Sequence, residues 1–273
     1  MDSEFWQSLK AGAQAAAAEH PEVKLTVLAP EREVNIDQQV SIIDDQVVKK
    51  VAALVVAPAG ESEIIPALDR ARAARIPVVI VDTDIRWPSK TSYVGTNNRL
   101  GGRLAGEQLV KLAGGQGDVA VIRGVPGVAT HEERLAGFRD AIAQAPAVRC
   151  VAVQPANSER VLAMSVMENL LTTHPGITGV FVTSDQMALG AIEAVSAQKL
   201  MGRVIVVGFD AVQEEIRAVA SGRLAAAVAQ HPEVMGRRAV EEAIKAVRGE
   251  PVSKIVDTGT TVVTTANAGE FLR

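Results

Sequence analysis

Short runs of Val, Ile and Ala without polar alternation recur along this chain, and most run on within a few residues into helical periodicity. AALVVA (52–57), VVIVD (78–82), DVAVIR (118–123), GVFV (179–182) and VIVVGF (204–209) are the clearest. A strand wetted on one face alternates polar and apolar residues. A strand without that alternation is covered on both faces, as in a parallel sheet between two helical layers. Lys24–Leu28, Ser92–Val94 and Arg149–Val153 complete the expected strands. Between them the 3.6-residue period predicts helices over Phe5–Glu19, Ile36–Lys49, Glu61–Ala73, Arg99–Ala113, Glu132–Ala145, Ser158–His174, Gln186–Gln198, Val212–Ser221 and Glu233–Arg248. This βαβα order predicts a doubly wound α/β fold.

The chain also repeats itself weakly. LKAGAQAAAAEHPEVKLTVLAP (9–30) is similar to LAGFRDAIAQAPAVRCVAVQP (135–155), and the strand–helix–strand segment 54–84 is similar to 180–211. Each member of the second pair ends in a strand closing on aspartate, Asp82 and Asp210. Two similar halves predict two similar domains. Ligands of such sheets sit beyond the carboxyl ends of the strands, which makes both aspartates candidates for ligand contact. In the second half GDVAVIRG (117–124) precedes the helix from Glu132. In the first half nothing precedes the matching helix at about Phe5, so a first strand is expected upstream of Met1 or to be replaced by another segment.

With 273 residues, 48% of them apolar and only 3% aromatic, the chain can build a large aliphatic core. A net charge of −4 with no basic block argues against nucleic acid as a partner. No apolar stretch reaches membrane-spanning length. The single cysteine, Cys150, lies in an apolar run and is expected in the core; it has no intrachain disulfide partner. The chain lacks GxSxG, HExxH, a P-loop and paired cysteines at metal spacing, so no catalytic residue, metal site or cofactor is expected. The four histidines, His20, His131, His174 and His231, are expected at the surface, with His131 near enough to Arg134 to reach a site rim. Asp185 reads as a helix cap, Trp87 as a loop anchor or rim residue, and Asn97 and Asn98 as cap and hinge-side residues.

The segments SEFWQSLKAGAQ, TNNRLGGRLAGEQL, QPANSERVLAMSVMENLLTTHP, SDQMALGAIEA, VVGFDA and LAAAVAQHPEVMG, in this order, resemble the ribose-binding-protein branch of periplasmic sugar-binding proteins, the solute-binding components of ABC importers. The resemblance covers essentially the whole chain. It implies two Rossmann-like lobes, 1–96 with 231–257 and 97–230 with 258–273, joined by three hinge crossovers and closing on a ligand in the cleft between them. It further implies that Asp82 and Asp210 accept hydrogen bonds from sugar hydroxyls, that Arg134 donates, that Gln230 lies beside the hinge, and that Phe5, Trp6 and Phe209 supply aromatic faces. Ser158 stands where a second stacking Phe is usual, Ala57 and Ser184 where amides are usual, Thr83 in place of an arginine, and Ser3 in place of an Asn with Asp2 beside it. These smaller side chains imply a roomier pocket than ribose needs, which favours a longer polyol, a hexose or another hydroxylated ligand; the expected ligand is a small neutral sugar or polyol and not ribose itself. The implied partner is an ABC permease, with a chemoreceptor as a second candidate, and the implied location is periplasmic, with the chain acting as a monomer. The same core occurs in LacI-type regulators behind a DNA-binding headpiece, which is the alternative reading.

Overall fold

The computed structural model describes residues 3–32 and 34–272; Asp2 lies outside them. In chain order the elements are α1 (Glu4–Ala18), α2 (Ile36–Val48), β1 (Leu54–Val56), α3 (Ile65–Ala73), β2 (Val78–Val81), β3 (Ser92–Gly95), α4 (Asn98–Leu112), β4 (Gly117–Arg123) and α5 (Ala129–Ile142). They continue with β5 (Val148–Pro155), α6 (Arg160–Thr173), β6 (Ile177–Val182), α7 (Asp185–Ala197), β7 (Ile205–Asp210), α8 (Gln213–Ala220), β8 (Ala226–Ala229), α9 (Pro232–Arg248), β9 (Ile255–Asp257) and β10 (Thr261–Val263). This is the α/β architecture expected, with parallel strands alternating with helices.

The chain divides into two compact units. The first comprises Met1–Thr96, Gly127–Thr130 and His231–Gly259. Its four-stranded sheet runs β1-β2-β3-β9, all parallel, with Val79 beside Ser92 and Val94 beside Val256. One core cluster gathers Ile64 and Leu68 of α3, Ile80 of β2, Trp87 and Tyr93. Helices α1 and α9 of this unit pack unusually close. A Cβ added at Gly12 would lie 1.9 Å from the Glu233 carbonyl oxygen, and one added at Gly236 would lie 1.9 Å from that of Leu9. Only glycine on each helix lets the two backbones approach to this distance.

The second unit comprises Asn97–Pro126, His131–Gln230 and Thr260–Arg273. Its sheet runs β10-β8-β7-β6-β4-β5, parallel except for β10. Successive strand residues divide between two cores, as a sheet covered on both faces requires. Ile122, Val180, Val182 and Val206 join Met187 and Ala188 of α7 in one cluster. Val121, Phe181, Val207 and Phe209 join Leu109 of α4 and Phe138 of α5 in the other. Each such aliphatic side chain, fully buried, contributes about 1.5–3 kcal/mol to stability.

Three expectations about local structure need correction. Lys24–Leu28 is not a strand: the segment joins neither sheet. Without a neighbour to take its backbone hydrogen bonds, β-propensity alone does not make a strand. Conversely, β8, β9 and β10 were not expected. Ala226–Ala229 has little intrinsic β-propensity, yet it pairs with β7 on one side and β10 on the other. Cys150 is exposed, because it lies on β5, the edge strand of the second sheet, whose middle residues are only partly covered.

Candidate ligand-binding site

The second unit holds six sequence-derived candidates, Arg134, Ser158, Ser184, Phe209, Asp210 and Gln230, around the carboxyl ends of its strands. Strand β7 ends in Phe209 and Asp210, and the backbone then turns through two left-handed residues, Asp210 (φ 90°) and Ala211 (φ 50°). Non-glycine residues pay a steric penalty there, which a packed neighbourhood must offset. The Asp210 side chain is buried and engaged on both oxygens. Its Oδ1 accepts a short hydrogen bond from Gln230 Nε2 and lies 3.3 Å from Arg134 Nη1; its Oδ2 accepts from the Asp185 N–H at 3.2 Å. The carboxylate thus meets a guanidinium, an amide and the first N–H of α7.

Arg134, on α5, is 3% exposed and fully oriented. Its Nε donates to Asn98 Oδ1 at 2.9 Å and its Nη1 to the Thr183 carbonyl at 2.7 Å. The guanidinium carbon stands 3.8 Å from the centroid of the Phe209 ring. Phe209 is therefore not the open stacking platform expected from its position. Its ring is fully buried, supports the guanidinium by a cation–π contact, and leans on Phe181 at 6.5 Å.

Two buried polar atoms of this cluster have no protein partner: Ser184 Oγ and Gln230 Oε1. Ser184 is the N-cap of α7 but makes no side-chain cap bond, so its hydroxyl remains available. Asp185, read as the cap, is instead the first helical residue, and the carboxylate that receives its N–H is that of Asp210. A buried polar atom without a partner costs about 1–3 kcal/mol, which a hydrogen-bonding ligand can recover.

Ser158 is tied to the cluster through a residue expected at the surface. His131 is buried; its Nδ1 is 2.9 Å from Thr183 Oγ1 and its Nε2 is 3.3 Å from Ser158 Oγ. Ser158 itself has φ 61°. Thr183 carries both arms, since its carbonyl holds Arg134 and its hydroxyl meets His131. The only sequence signal for His131 was its spacing of three residues from Arg134 on one helix, which puts both on one face. Asn97 caps α4 as expected, accepting the Leu100 N–H at 3.0 Å.

In the first unit Asp82 follows β2, is buried, and also has a left-handed backbone (φ 64°). Its Oδ2 accepts from Thr83 Oγ1 at 2.9 Å, and its carbonyl accepts from the Tyr93 hydroxyl at 3.0 Å. Phe5 is buried and meets the half-buried Trp6 edge-on, ring centroids 5.1 Å apart, in the first turn of α1. Ser3 caps that helix by accepting the Phe5 N–H at 3.1 Å. Trp87 is a buried loop anchor whose Nε1 donates to Asp69 at 3.1 Å. Among the described residues no group of histidine, cysteine or acidic side chains is arranged to hold a metal ion, and no helix is long and apolar enough to cross a membrane.

Comparison with known proteins identifies the family and the fold. A family described as periplasmic binding protein domain matches residues 1–251. The ribose import binding protein of Escherichia coli (strain K12) is 34% identical over 252 residues, covering 92% of this chain and 83% of that protein. A crystal structure of an ABC transporter periplasmic solute-binding protein from Actinobacillus succinogenes, with bound D-allose, superposes with a TM-score of 0.93 at 31% identity, covering 99% of this chain and 96% of the other. An ABC transporter solute-binding protein from Bacillus halodurans, with bound myo-inositol, superposes with a TM-score of 0.93 at 26% identity, covering 98% and 93%. These relatives are import proteins, which decides between the transport and regulator readings in favour of transport. The chain belongs to the periplasmic binding protein family, on its ribose-binding-protein-like branch of sugar-binding ABC-importer components.

Proposed function

We propose that this protein captures a small neutral hexose or polyol, and not ribose itself, in the periplasm and delivers it to an ABC permease without catalysis. The observation that carries the ligand class is the Asp210 cluster. A carboxylate, a guanidinium, an amide and hydroxyls converge there, and Ser184 Oγ and Gln230 Oε1 are buried without protein partners. Such a set supplies both acceptors and donors to a ligand whose every carbon bears a hydroxyl. Arg134 and Asp210 already neutralise each other, so an acidic or phosphorylated ligand finds no uncompensated positive charge there.

In this reading Asp210, Arg134, Gln230, Ser184 and Ser158 of the second unit contact the ligand directly, while Phe209 acts by holding Arg134. Asp82, Phe5 and Trp6 of the first unit supply a further acceptor and an aromatic face. The units act as lobes hinged near Thr96, His231 and Asp257, and ligand that touches both favours the closed form by its differential affinity. The D-allose and myo-inositol bound to related proteins lend support to a six-carbon cargo.

A thermal-shift screen against D-ribose, D-allose, D-fucose, myo-inositol, linear polyols and ribose 5-phosphate tests the proposal, because a ligand selective for the folded state raises Tm. A selective rise with a neutral six-carbon compound, abolished in Arg134→Ala, is the expected result. A rise confined to D-ribose or to the phosphate overturns the ligand class.

A further inference from the structure

One titratable side chain is buried in the second unit without a place in the ligand contacts proposed. Glu215 is fully buried, yet it lies in the first turn of α8, where acidic residues are ordinarily solvated. The N-cap of that helix is Val212, which has no side chain able to accept a hydrogen bond. Glu215 occupies the third helical position, from which a carboxyl reaches back to the N-cap backbone in a capping box. The N–H groups of Ala211 and Val212 do face it and favour its charged form, though neither makes a hydrogen bond of good geometry with it.

The strand beneath is shaped to admit this carboxyl. A Cβ added at Gly208 would lie 2.3 Å from Glu215 Oε1, with Ala188 Cβ and a Leu224 methyl as its next neighbours. Any side chain at position 208 would expel the carboxyl. Gly208 precedes Asp210 by two residues on β7, and side chains two apart share a face of the sheet. The carboxyl therefore sits under the strand end that presents Asp210, beside the left-handed pair Asp210 and Ala211.

We propose that Glu215 is a positioning residue for ligand recognition: packed over Gly208, its carboxyl group fixes the Asp210–Ala211 turn and so the direction in which Asp210 meets the ligand. The role rests on Asp210 being a ligand contact, as proposed above. Burial comes first among the forces on Glu215, followed by the negative charges of Asp185 from α7 and Asp210 from β7, and together they push its pKa well above the ordinary carboxylate value. Those two aspartates are the charged groups that face it; the third wall, Leu224, brings none. Glu215 in its neutral form leaves the Asp210–Arg134 pair undisturbed. Ionised, it adds a third negative charge beside Asp185 and Asp210, and the turn shifts. Affinity accordingly falls as pH rises through the raised Glu215 pKa.

The test compares wild type, Glu215→Gln and Glu215→Leu by calorimetric titration with D-allose between pH 5 and 8, and by the carboxyl carbon resonances of selectively labelled aspartates without ligand. Gln keeps a neutral polar group of the same shape, so Glu215→Gln is expected to retain affinity and lose its pH dependence. Glu215→Leu is expected to fold, to shift the Asp210 resonance and to weaken D-allose binding by about tenfold or more, because a side chain of different shape then packs over Gly208 beneath the turn. Wild-type affinity in a folded Glu215→Leu variant overturns the proposal. If that variant does not fold, Glu215→Ala takes its place, and an unshifted Asp210 resonance with wild-type affinity in it overturns the proposal. No D-allose binding by wild type at any pH counts against the ligand reading, while the aspartate resonances still report whether Glu215 sets the turn.

Discussion

The two units are built from similar sequence, yet one has six strands in its sheet and the other four. In the second, β4 lies between β5 and β6 and pairs with both, and β5 extends for eight residues along its edge. In the first, the run that resembles β5, Lys24–Leu28, pairs with nothing, and β1 is an edge three residues long. Leu28 is 49% exposed and Val55 of β1 is 37% exposed, whereas Phe181, the counterpart of Val55 on β6, is fully buried. VKLTVL and VRCVAV are equally strand-like in composition. Whether either becomes a strand depends on a partner and not on its own residues.

The two buried strand-end aspartates differ as well. Asp210 is held by an arginine, an amide and a helix N–H, whereas the hydrogen bond described for the Asp82 carboxylate comes from a neighbouring hydroxyl. Charge pairing dominates at Asp210, and the bond described for Asp82 has a neutral partner. The largest expected effect tests this contrast. Arg134→Ala leaves the buried Asp210 carboxylate without its ion-pair partner and is expected to cost about 3–5 kcal/mol. Asp82→Ala, which removes a neutral-partner bond, is expected to cost about 1–2 kcal/mol. Urea denaturation of both variants gives the ratio, and equal losses would erase the distinction between the two ends.

Next in size is the sheet itself. A separate peptide of the β4 sequence, DVAVIR, is expected to pair with Lys24–Leu28, which joins neither sheet, and to protect its amides from hydrogen exchange. A gain of ~2 kcal/mol would raise Tm by about 4–8 °C in a domain of this size. Unchanged exchange at those amides would show that the segment is held open by something other than a missing neighbour.

Two buried glutamates sharpen the comparison further. Glu242 of α9 is as inaccessible as Glu215, but it bonds Lys245 at 2.7 Å and the Ser253 N–H at 2.9 Å. Burial raises its pKa, and Lys245, the Ser253 N–H and Arg238 more than reverse this, leaving it below the model-compound value of 4.5. It therefore stabilises the fold above that value, and the contribution fades as pH falls. Glu215 has the opposite sign: its raised pKa makes it a growing liability as pH climbs above 4.5. At pH 7, Glu215→Gln is expected to stabilise and Glu242→Gln to destabilise, each by about 1–2 kcal/mol. Thermal melts from pH 3 to 8 check both slopes, that of Glu242 below 4.5 and that of Glu215 above it. The smallest effect is expected at Cys150, where Cys150→Ser on the exposed edge of β5 should change stability by less than about 0.5 kcal/mol.

Much of this was legible in the residues. The unalternated aliphatic runs mark eight expected strands, seven of which form within a residue or two, because burial on both faces writes itself into composition. The runs that misled are those decided by neighbours. Ala226–Ala229 is a strand only because β7 and β10 flank it, and Cys150 is wetted only because β5 is an edge. At the site, Asp210 and Arg134 were visible by resemblance, but their mutual pairing was not, since a contact between α5 and β7 leaves no local trace. His131 and Glu215 were hidden for the same reason: sequence gives their charge and not the pocket that takes it from water. The contact of Phe209 with Arg134 was hidden too, since a ring at a strand end serves a sugar or a guanidinium equally well.

The glycine-mediated contact between α1 and α9 has a bearing on how the molecule comes into being. Gly12 and Gly236 sit on opposite sides of the sequence that forms the second unit, so on a ribosome α1 emerges long before the helix against which it locks. Until α9 appears, Ala13 and Ala16 have no Val240 to cover them. The second unit's sheet is synthesised entirely in that interval, except for β10. Birth order thus favours an assembly in which the later-starting unit matures first and the earlier-starting one waits, open, for its closing helix.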